Sequence, residues 1–252
     1  MNSERIVGRL LVAIESRDLR RIHDSLHPDA SWHNVPHEPA VGREAVVELL
    51  APILTWSDHV RWQVVSSAFG RGHGWVERVD RFLIDGEEHA VRCGGVFSVD
   101  PDLGVVSMVH DYVDLGEWRS RIAPVYERLA GRSALDVVRR HLAAVERRDI
   151  VAMAADYTLN ARLVRNSVVH TGWREIRDYF STVPARLAER ELRFDTVEVV
   201  GDVVGDVVGN DQVRVAWTIW DDATTTAGGV DTYIVAAGRI VDQRVVLNTP
   251  DF

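Results

Sequence analysis

Leu11-Val-Ala-Ile-Glu-Ser-Arg-Asp-Leu19 comes back later in the chain as Leu142-Ala-Ala-Val-Glu-Arg-Arg-Asp-Ile150, an offset of 142 − 11 = 131 residues. The match is not isolated. Gly42-Arg-Glu-Ala-Val-Val47 pairs with Gly172-Trp-Arg-Glu-Ile-Arg177, and Gly104-Val-Val106 with Gly238-Arg-Ile240, the small changes of offset being what loop insertions produce. Self-similarity at this spacing means two copies of one fold, each of about 125 residues and near the usual domain size. The copies are expected at residues 1–126 and 127–252. Their join falls between Arg119 and Ser133, where Pro124 and Gly131 interrupt a polar stretch and Ser133 is placed to cap the next helix.

Within each copy, helices come first and strands later. Ile6, Leu10, Ala13 and Ile14 form an apolar stripe at helical spacing, Asp18 can cap a second short helix running through Leu26, and Ala45 to Leu54 carries a third. The pattern then turns to β. Trp62–Phe69, Trp75–Ile84, His89–Val99 and Val105–Val113 are rich in Val, Phe and Trp, and turns containing Gly separate them. The second copy runs the same way, from Ser133 to Phe180 and then from Phe194 to Val246. Helices segregated ahead of an antiparallel meander predict an α+β fold in each copy, with a curved, mostly antiparallel sheet wrapping the helices and leaving a pocket between them.

Composition excludes several classes of chemistry. The 252 residues are 46% hydrophobic, enough for one large or two small cores, and the formal net charge of −9 comes with no basic tract. Neither nucleic acid nor an anionic membrane surface is therefore an expected partner. All 29 basic residues are Arg, since the chain has no Lys, which removes Schiff-base chemistry, pyridoxal-phosphate anchoring and a P-loop. Cys93 is the only cysteine, so no intrachain disulfide forms, and beside Gly94-Gly95 it reads as a small strand filler rather than a nucleophile. The charged start Met-Asn-Ser-Glu-Arg and the lack of an apolar run of membrane-spanning length point to a cytoplasmic enzyme.

Three residues on two predicted strands concentrate the chemistry. In Trp75-Val-Glu-Arg-Val-Asp-Arg-Phe-Leu-Ile84, strand alternation puts Val76, Arg78, Asp80, Phe82 and Ile84 on one face, with Glu77 and Arg81 on the other. The apolar members turn that face inward. A cation and a carboxylate are thus set among apolar groups, where isolated charges are costly unless they pair or change protonation state. Asp111, flanked on its own face by Val109 and Val113, is a second carboxylate in the same position. An acid–base site explains both, and a structural buried ion pair is the competing reading. His110 points to the opposite face from Asp111, so a His–Asp dyad is not expected. His27, His33 and His37 cluster around a loop at spacings that match no metal-ligand signature, and no metal is expected there.

The ordered set Trp32-His-Asn-Val-Pro-His-Glu-Pro-Ala-Val-Gly-Arg43, Glu77-Arg-Val-Asp-Arg81, Gly95-Val-Phe97 and His110-Asp-Tyr-Val-Asp-Leu115 resembles the limonene-1,2-epoxide hydrolases, over roughly residues 5 to 118. These belong to the cone-shaped superfamily that includes ketosteroid isomerases, nuclear transport factors and small polyketide cyclases. The resemblance implies two tandem cone-shaped domains, the second similar to a degenerate polyketide-cyclase-like domain. It also implies roles. Asp80 matches the acid that protonates the epoxide oxygen, Asp111 the carboxylate that takes a proton from the attacking water, Arg78 the Arg bridging the two, and Asn34 an amide that holds the water. Trp32 and Phe82 are expected to border the substrate. One-step epoxide opening needs a proton for the leaving alkoxide and a base for the nucleophile, with no metal, covalent intermediate or organic cofactor.

One position departs from the family. Where its members have a Tyr whose hydroxyl grips the water, this chain has Trp32, whose indole N–H donates but cannot accept. That leaves two enzyme readings, a hydrolase that makes a vicinal diol from a hydrophobic epoxide and an epoxide-opening cyclase of natural-product biosynthesis using the substrate's own hydroxyl. A noncatalytic small-molecule binder is the third reading, and it has no need of Asp80 and Asp111 together. In the second copy, an offset of 238 − 104 = 134 puts Val245 opposite Asp111, and no register of Gln212–Ile219 supplies a carboxylate. This copy is expected to be silent for epoxide chemistry. Trp217, Trp220 and Tyr233 could line a different apolar pocket there, and Asp231 and Asp242 are its candidates for separate chemistry. The second copy is expected to cover the open sheet of the first as an internal pseudo-dimer, and the chain could further pair as a homodimer.

Overall fold

A computed structural model describes residues 2–202, 211–222 and 224–248. The chain divides into two compact units, Met1–Glu127 and Arg128–Phe252. The first opens with α1 (Ser3–Glu15), capped by the Asn2 side chain, and α2 (Leu19–Asp24), whose first-turn Arg21 N–H donates to Asp18. Strands β1 (Leu26–Asn34) and β2 (Ala40–Val41) follow, then α3 (Arg43–Trp56) and the meander β3 (His59–Gly70), β4 (His73–Ile84), β5 (Glu87–Asp100) and β6 (Val105–Val113). The six strands form one sheet in the order β2-β1-β6-β5-β4-β3, all antiparallel except the β1–β6 pair. Ile6, Leu10, Ala13 and Ile14 are buried, and α1 packs on β3 to β6.

The second unit repeats this with α6 (Ala134–Glu146), α7 (Ile150–Ala155), β7 (Tyr157–Arg165), β8 (Val168–Thr171), α8 (Trp173–Phe180), α9 (Val183–Leu187), β9 (Glu191–Asp202), β10 (Asp211–Asp221), β11 (Thr224–Ala236) and β12 (Arg239–Leu247). The first unit closes with α4 (Leu115–Glu117), a π-helical turn at Trp118–Ile122 and most of α5 (Ala123–Ala130), within which the boundary falls. The second sheet runs β8-β7-β12-β11-β10-β9, the same order shifted by six strands. Even the backbone specials recur. Left-handed Arg17 (φ 53°) ends α1 as Arg148 (φ 56°) ends α6, and both Gly42 and Gly172 take a positive φ just before a helix. Two α+β cone domains in tandem are the architecture.

Three local expectations need correction. The helix after Asp18 stops at Asp24, and Leu26 already begins a strand. His27 and His33 consequently lie on β1 rather than in a loop, and only His37 sits in the turn beyond. Pro124 does not interrupt the helical run, which continues from Leu115 through the π-helical turn at Trp118–Ile122 into α5, with Pro124 as the second residue after that turn. Ser133 does cap α6, accepting from the Asp136 N–H at 3.1 Å.

Candidate active site

Strand parity sets the first domain's site. Along β4 the residues Gly74, Val76, Arg78, Asp80, Phe82 and Ile84 are buried in strict alternation, and Asp111 is buried on β6. Arg78 sits between the two carboxylates. Its Nε donates to Asp80 Oδ1 at 2.7 Å, while Nη1 and Nη2 donate to Asp111 Oδ1 and Oδ2 at 3.0 and 2.7 Å. Arg78, Asp80 and Asp111 are only 1, 6 and 2% exposed. The guanidinium also lies over the Trp62 ring, 4.1 Å from its centre. Burial opposes the Arg78 charge, but Asp111 and Asp80 outweigh it and hold the cation more firmly than usual.

Two carboxylates share one cation, so one of them is left favouring a proton. Burial pushes Asp80 up to about 6, against the pull of Arg78 and with the help of the nearby Asp111 charge. Arg78 engages only Oδ1 of Asp80, so Oδ2 is available to carry that proton. Asp111 receives the bidentate fork, and each of its oxygens retains a further lone pair. Burial raises the Cys93 thiol far above its ordinary range, so it is no nucleophile.

Asn34 completes the group from the neighbouring strand. It is the register partner of Asp111 in the parallel β1–β6 pair. The indole of Trp32 donates to Asn34 Oδ1 at 3.1 Å, which fixes the amide with its NH₂ as the remaining donor. Trp32, Asn34, Asp80, Phe82 and Asp111 all border one cavity of about 860 Å³ counting the open mouth, with Trp62 and Leu50 among its apolar walls. The five expected residues that border the cavity and Arg78 behind them are thus brought together. Trp118 and Tyr126, from the helical segment after β6, also border it, and neither is singled out by the sequence.

Gly95 shapes the site, although in the sequence it stands only within a matching motif, with no role of its own. A Cβ there would lie 2.5 Å from Arg78 Nη1 and 2.8 Å from Asp111 Oδ1, so only glycine lets the fork close on the carboxylate. The signal was its cross-strand register with Asp111, which depends on knowing which strands pair.

The second domain answers position by position. Gly95 lies four residues before Val99, which pairs with Val106, and Asp231 lies four before Val235, which pairs with Ile240. Gly95 faces Asp111 as Asp231 faces Val245. Arg78 pairs with Cys93 and Asp80 with Val91, and the corresponding pairs are Trp217 with Gly229 and Ile219 with Ala227. The carboxylates of β4 and β6 are therefore gone, and a new one stands where the first domain has glycine. Trp217 and Tyr233 border the second domain's cavity, but Trp220 does not. Alternation turns Trp220 to the other face, where Arg193 stacks on it at 4.8 Å. Asp242 is likewise outside, 3.8 Å from Arg162. Among the described residues no cluster of three or more His, Cys, Asp or Glu could hold a metal ion, and no helix is long and apolar enough to cross a membrane.

A family model for the SnoaL-like domain matches residues 7–107 and again 138–243. The chain belongs to the SnoaL-like family. Solved structures similar to this SnoaL-like chain include an LEH-like epoxide hydrolase from M. tuberculosis, 22% identical over 46% of this chain and 85% of that one, with a TM-score of 0.41. A protein named as a SnoaL-like polyketide cyclase from Shewanella putrefaciens is 10% identical over 48% and 96%, with a TM-score of 0.44. Bal32a, from a soil-derived mobile gene cassette, is 18% identical over 46% and 93%, with a TM-score of 0.41. Each covers the length of one SnoaL-like domain.

Proposed function

We propose that the first domain opens a hydrophobic epoxide by one-step attack of water, giving a vicinal diol. The observation that carries this reading is the pair of buried carboxylates held on one guanidinium at an otherwise apolar cavity. Asp80, with its raised affinity for a proton, gives that proton to the epoxide oxygen as the C–O bond breaks. Asp111 takes the proton from water as the new C–O bond forms at the epoxide carbon. Arg78 holds both oxygens of the base in place, and the Asn34 amide donates to the attacking water. Proton count balances, since Asp80 loses one and Asp111 gains one. A return transfer between the two carboxylates, relayed by water, resets the site. A purely structural ion pair would not need a second carboxylate on the same fork or a cavity beside it.

Trp32 favours a second reading. Its only polar hydrogen is committed to Asn34 Oδ1, so it contributes nothing directly to a water molecule. A hydroxyl on the substrate itself is already positioned by its chain and needs fewer partners, which would make the reaction an intramolecular cyclisation to a cyclic ether. Incubation with a panel of epoxides in oxygen-18 water tests both. Label in a diol product supports hydrolysis, an unlabelled cyclic ether supports cyclisation, and binding of epoxides without turnover by the intact protein sinks both enzyme readings.

A further inference from the structure

The second domain contains a cavity that the epoxide chemistry does not use. Its floor is carried by Asp231, whose Oδ1 accepts from Trp217 Nε1 at 2.8 Å and whose Oδ2 accepts from the Tyr233 hydroxyl at 3.0 Å and Gln243 Nε2 at 2.7 Å. Gln243 Oε1 in turn accepts from the Tyr157 hydroxyl, and His141 packs edge-on against the Tyr157 ring. Three donors on one buried carboxylate compensate its charge internally and fix the floor. The walls above are apolar, with Leu142, Val145, Val183, Leu187 and Phe194 around about 600 Å³ of space, counting the mouth.

The mouth is different. Arg165 and Arg186 lie against the Tyr179 ring, their guanidinium carbons 6.0 and 4.9 Å from its centre. These three residues also border a second, outer hollow of about 700 Å³, shared with Asn166, His170 and Thr182. An apolar chamber and a basic vestibule therefore meet at one ridge. Arg165 is the register counterpart of Asn34, pairing with Val245 as Asn34 pairs with Asp111. The strand that offers a neutral amide to the first cavity offers a cation to the second. Burial makes the Arg165 charge harder to hold, Tyr179 and Asp231 offset this in part, and the neighbouring Arg186 adds to it. Both arginines have other partners within the protein, and an anion at the ridge would add to these while offsetting the repulsion between the two.

The geometry points to a second ligand site in this chain, one that takes an amphipathic carboxylate with its apolar body in the chamber and its anionic head on Arg165 and Arg186. The first domain's cavity does not suit this ligand, because it presents the carboxylates of Asp80 and Asp111 and has the neutral amide of Asn34 where the second has Arg165.

Calorimetric titration of the full chain with decanoate, 1-decanol and decylamine tests the assignment. Decanoate is expected to bind at least ~10-fold more tightly than decanol, the scale of one charge-assisted contact. The double variant Arg165→Gln/Arg186→Gln should erase that advantage while decanol still binds, which shows an intact chamber. Should the double variant fail to fold, Arg186→Gln alone, at a half-buried position, must weaken decanoate at least ~3-fold relative to decanol. Equal affinity for decanoate and decanol in the wild type, decanoate binding that the variants leave unchanged, or tighter binding of decylamine would each overturn the proposal.

Discussion

The two domains share a strand order, a register and a set of turns, yet they spend their buried charge differently. The first keeps a cation on β4 with carboxylates on β4 and β6 and leaves glycine on β5; the second keeps a carboxylate on β5 and fills the other three places with Trp217, Ile219 and Val245. In the first, one cation cannot satisfy two carboxylates, and a proton is left to move. In the second, three neutral donors satisfy one carboxylate, and nothing is left over. Burial raises the proton affinity of both Asp80 and Asp231, so burial alone does not distinguish a carboxylate poised to exchange a proton from one held in a closed network. The balance of donors and acceptors around the group does.

The sharpest way to break this contrast is to remove its carboxylates one at a time. Asp80→Asn and Asp111→Asn should each reduce epoxide turnover by about 10²-fold to 10⁴-fold, the usual range for a lost general acid or base. Asp231→Asn should change it less than about twofold, because that group stands outside the reacting cavity. Stability should separate the first two. Asp111→Asn takes the bidentate partner from a buried guanidinium and should cost about 3 kcal/mol in urea unfolding, whereas Asp80→Asn leaves Arg78 its stronger partner. Equal turnover losses from Asp80→Asn and Asp231→Asn would end the distinction between the domains.

Gly95 tests the same contrast from the other side. Gly95→Ala places a methyl 2.5 Å from Arg78 Nη1 and must push the fork off Asp111. Overpacking of this kind costs about 1–3 kcal/mol, and turnover should fall about tenfold as the carboxylate geometry loosens. Alanine at Gly94, where a Cβ meets nothing within 4 Å, is the control and should leave turnover unchanged. A fully active Gly95→Ala would show that the Arg78–Asp111 fork is dispensable.

The pH profile carries a smaller, graded effect. Asp80 acts as acid only while protonated, so kcat/KM should decline as pH rises through about 6. The stability sign runs the same way. A folded-state value raised from 3.8 to about 6 means that the native protein binds more protons than the unfolded chain between those values. Stability from this group is therefore full below pH ~4 and is lost as pH climbs through about 6. Asp80→Asn should flatten that segment of the urea midpoint against pH, and Asp231→Asn should leave the activity profile in place. An activity profile flat from pH 5 to pH 8 would remove Asp80 as the acid.

Much of the first site was legible because its strands are amphipathic in the simplest way. Val76, Phe82 and Ile84 declare which face of β4 is inside, and Arg78 and Asp80 ride on the same parity. Asp231, named from the sequence as a candidate, carries the same kind of signal, sharing a face with Tyr233 and Val235, and parity applied to β11 separates it from Asp242, which lies outside the cavity. β1 was not legible. Leu26-His-Pro-Asp-Ala-Ser-Trp-His-Asn34 has little β propensity, and it is a strand because β2 and β6 flank it on both edges. Gly95 was hidden for a related reason, since its meaning lies in a cross-strand neighbour. Register is a property of two strands, and neither strand states it alone.

Trp32 offers the finest probe of the comparison, since Leu163 stands in its place in the second domain. Trp32 pairs with Val109 and Leu163 with Gln243, the two partners lying two residues before Asp111 and Val245. The indole N–H holds the Asn34 carbonyl, so Trp32→Phe removes the bond that orients the amide and should lower turnover only a few-fold, ~2 to 5 times, as for one neutral hydrogen bond of about 1 kcal/mol. Trp32→Tyr supplies a hydroxyl that can both donate and accept beside Asn34 and Asp111. If water is the nucleophile, this variant should match or exceed wild-type hydrolysis. If the substrate's hydroxyl attacks, the same variant should admit water and shift product from unlabelled cyclic ether to oxygen-18 diol. Trp32→Leu, which copies the second domain, should behave as Trp32→Phe in either case. A Leu variant that retained full wild-type turnover would mean that the Trp32–Asn34 bond has no part in the chemistry, and Asn34 would lose its role with it.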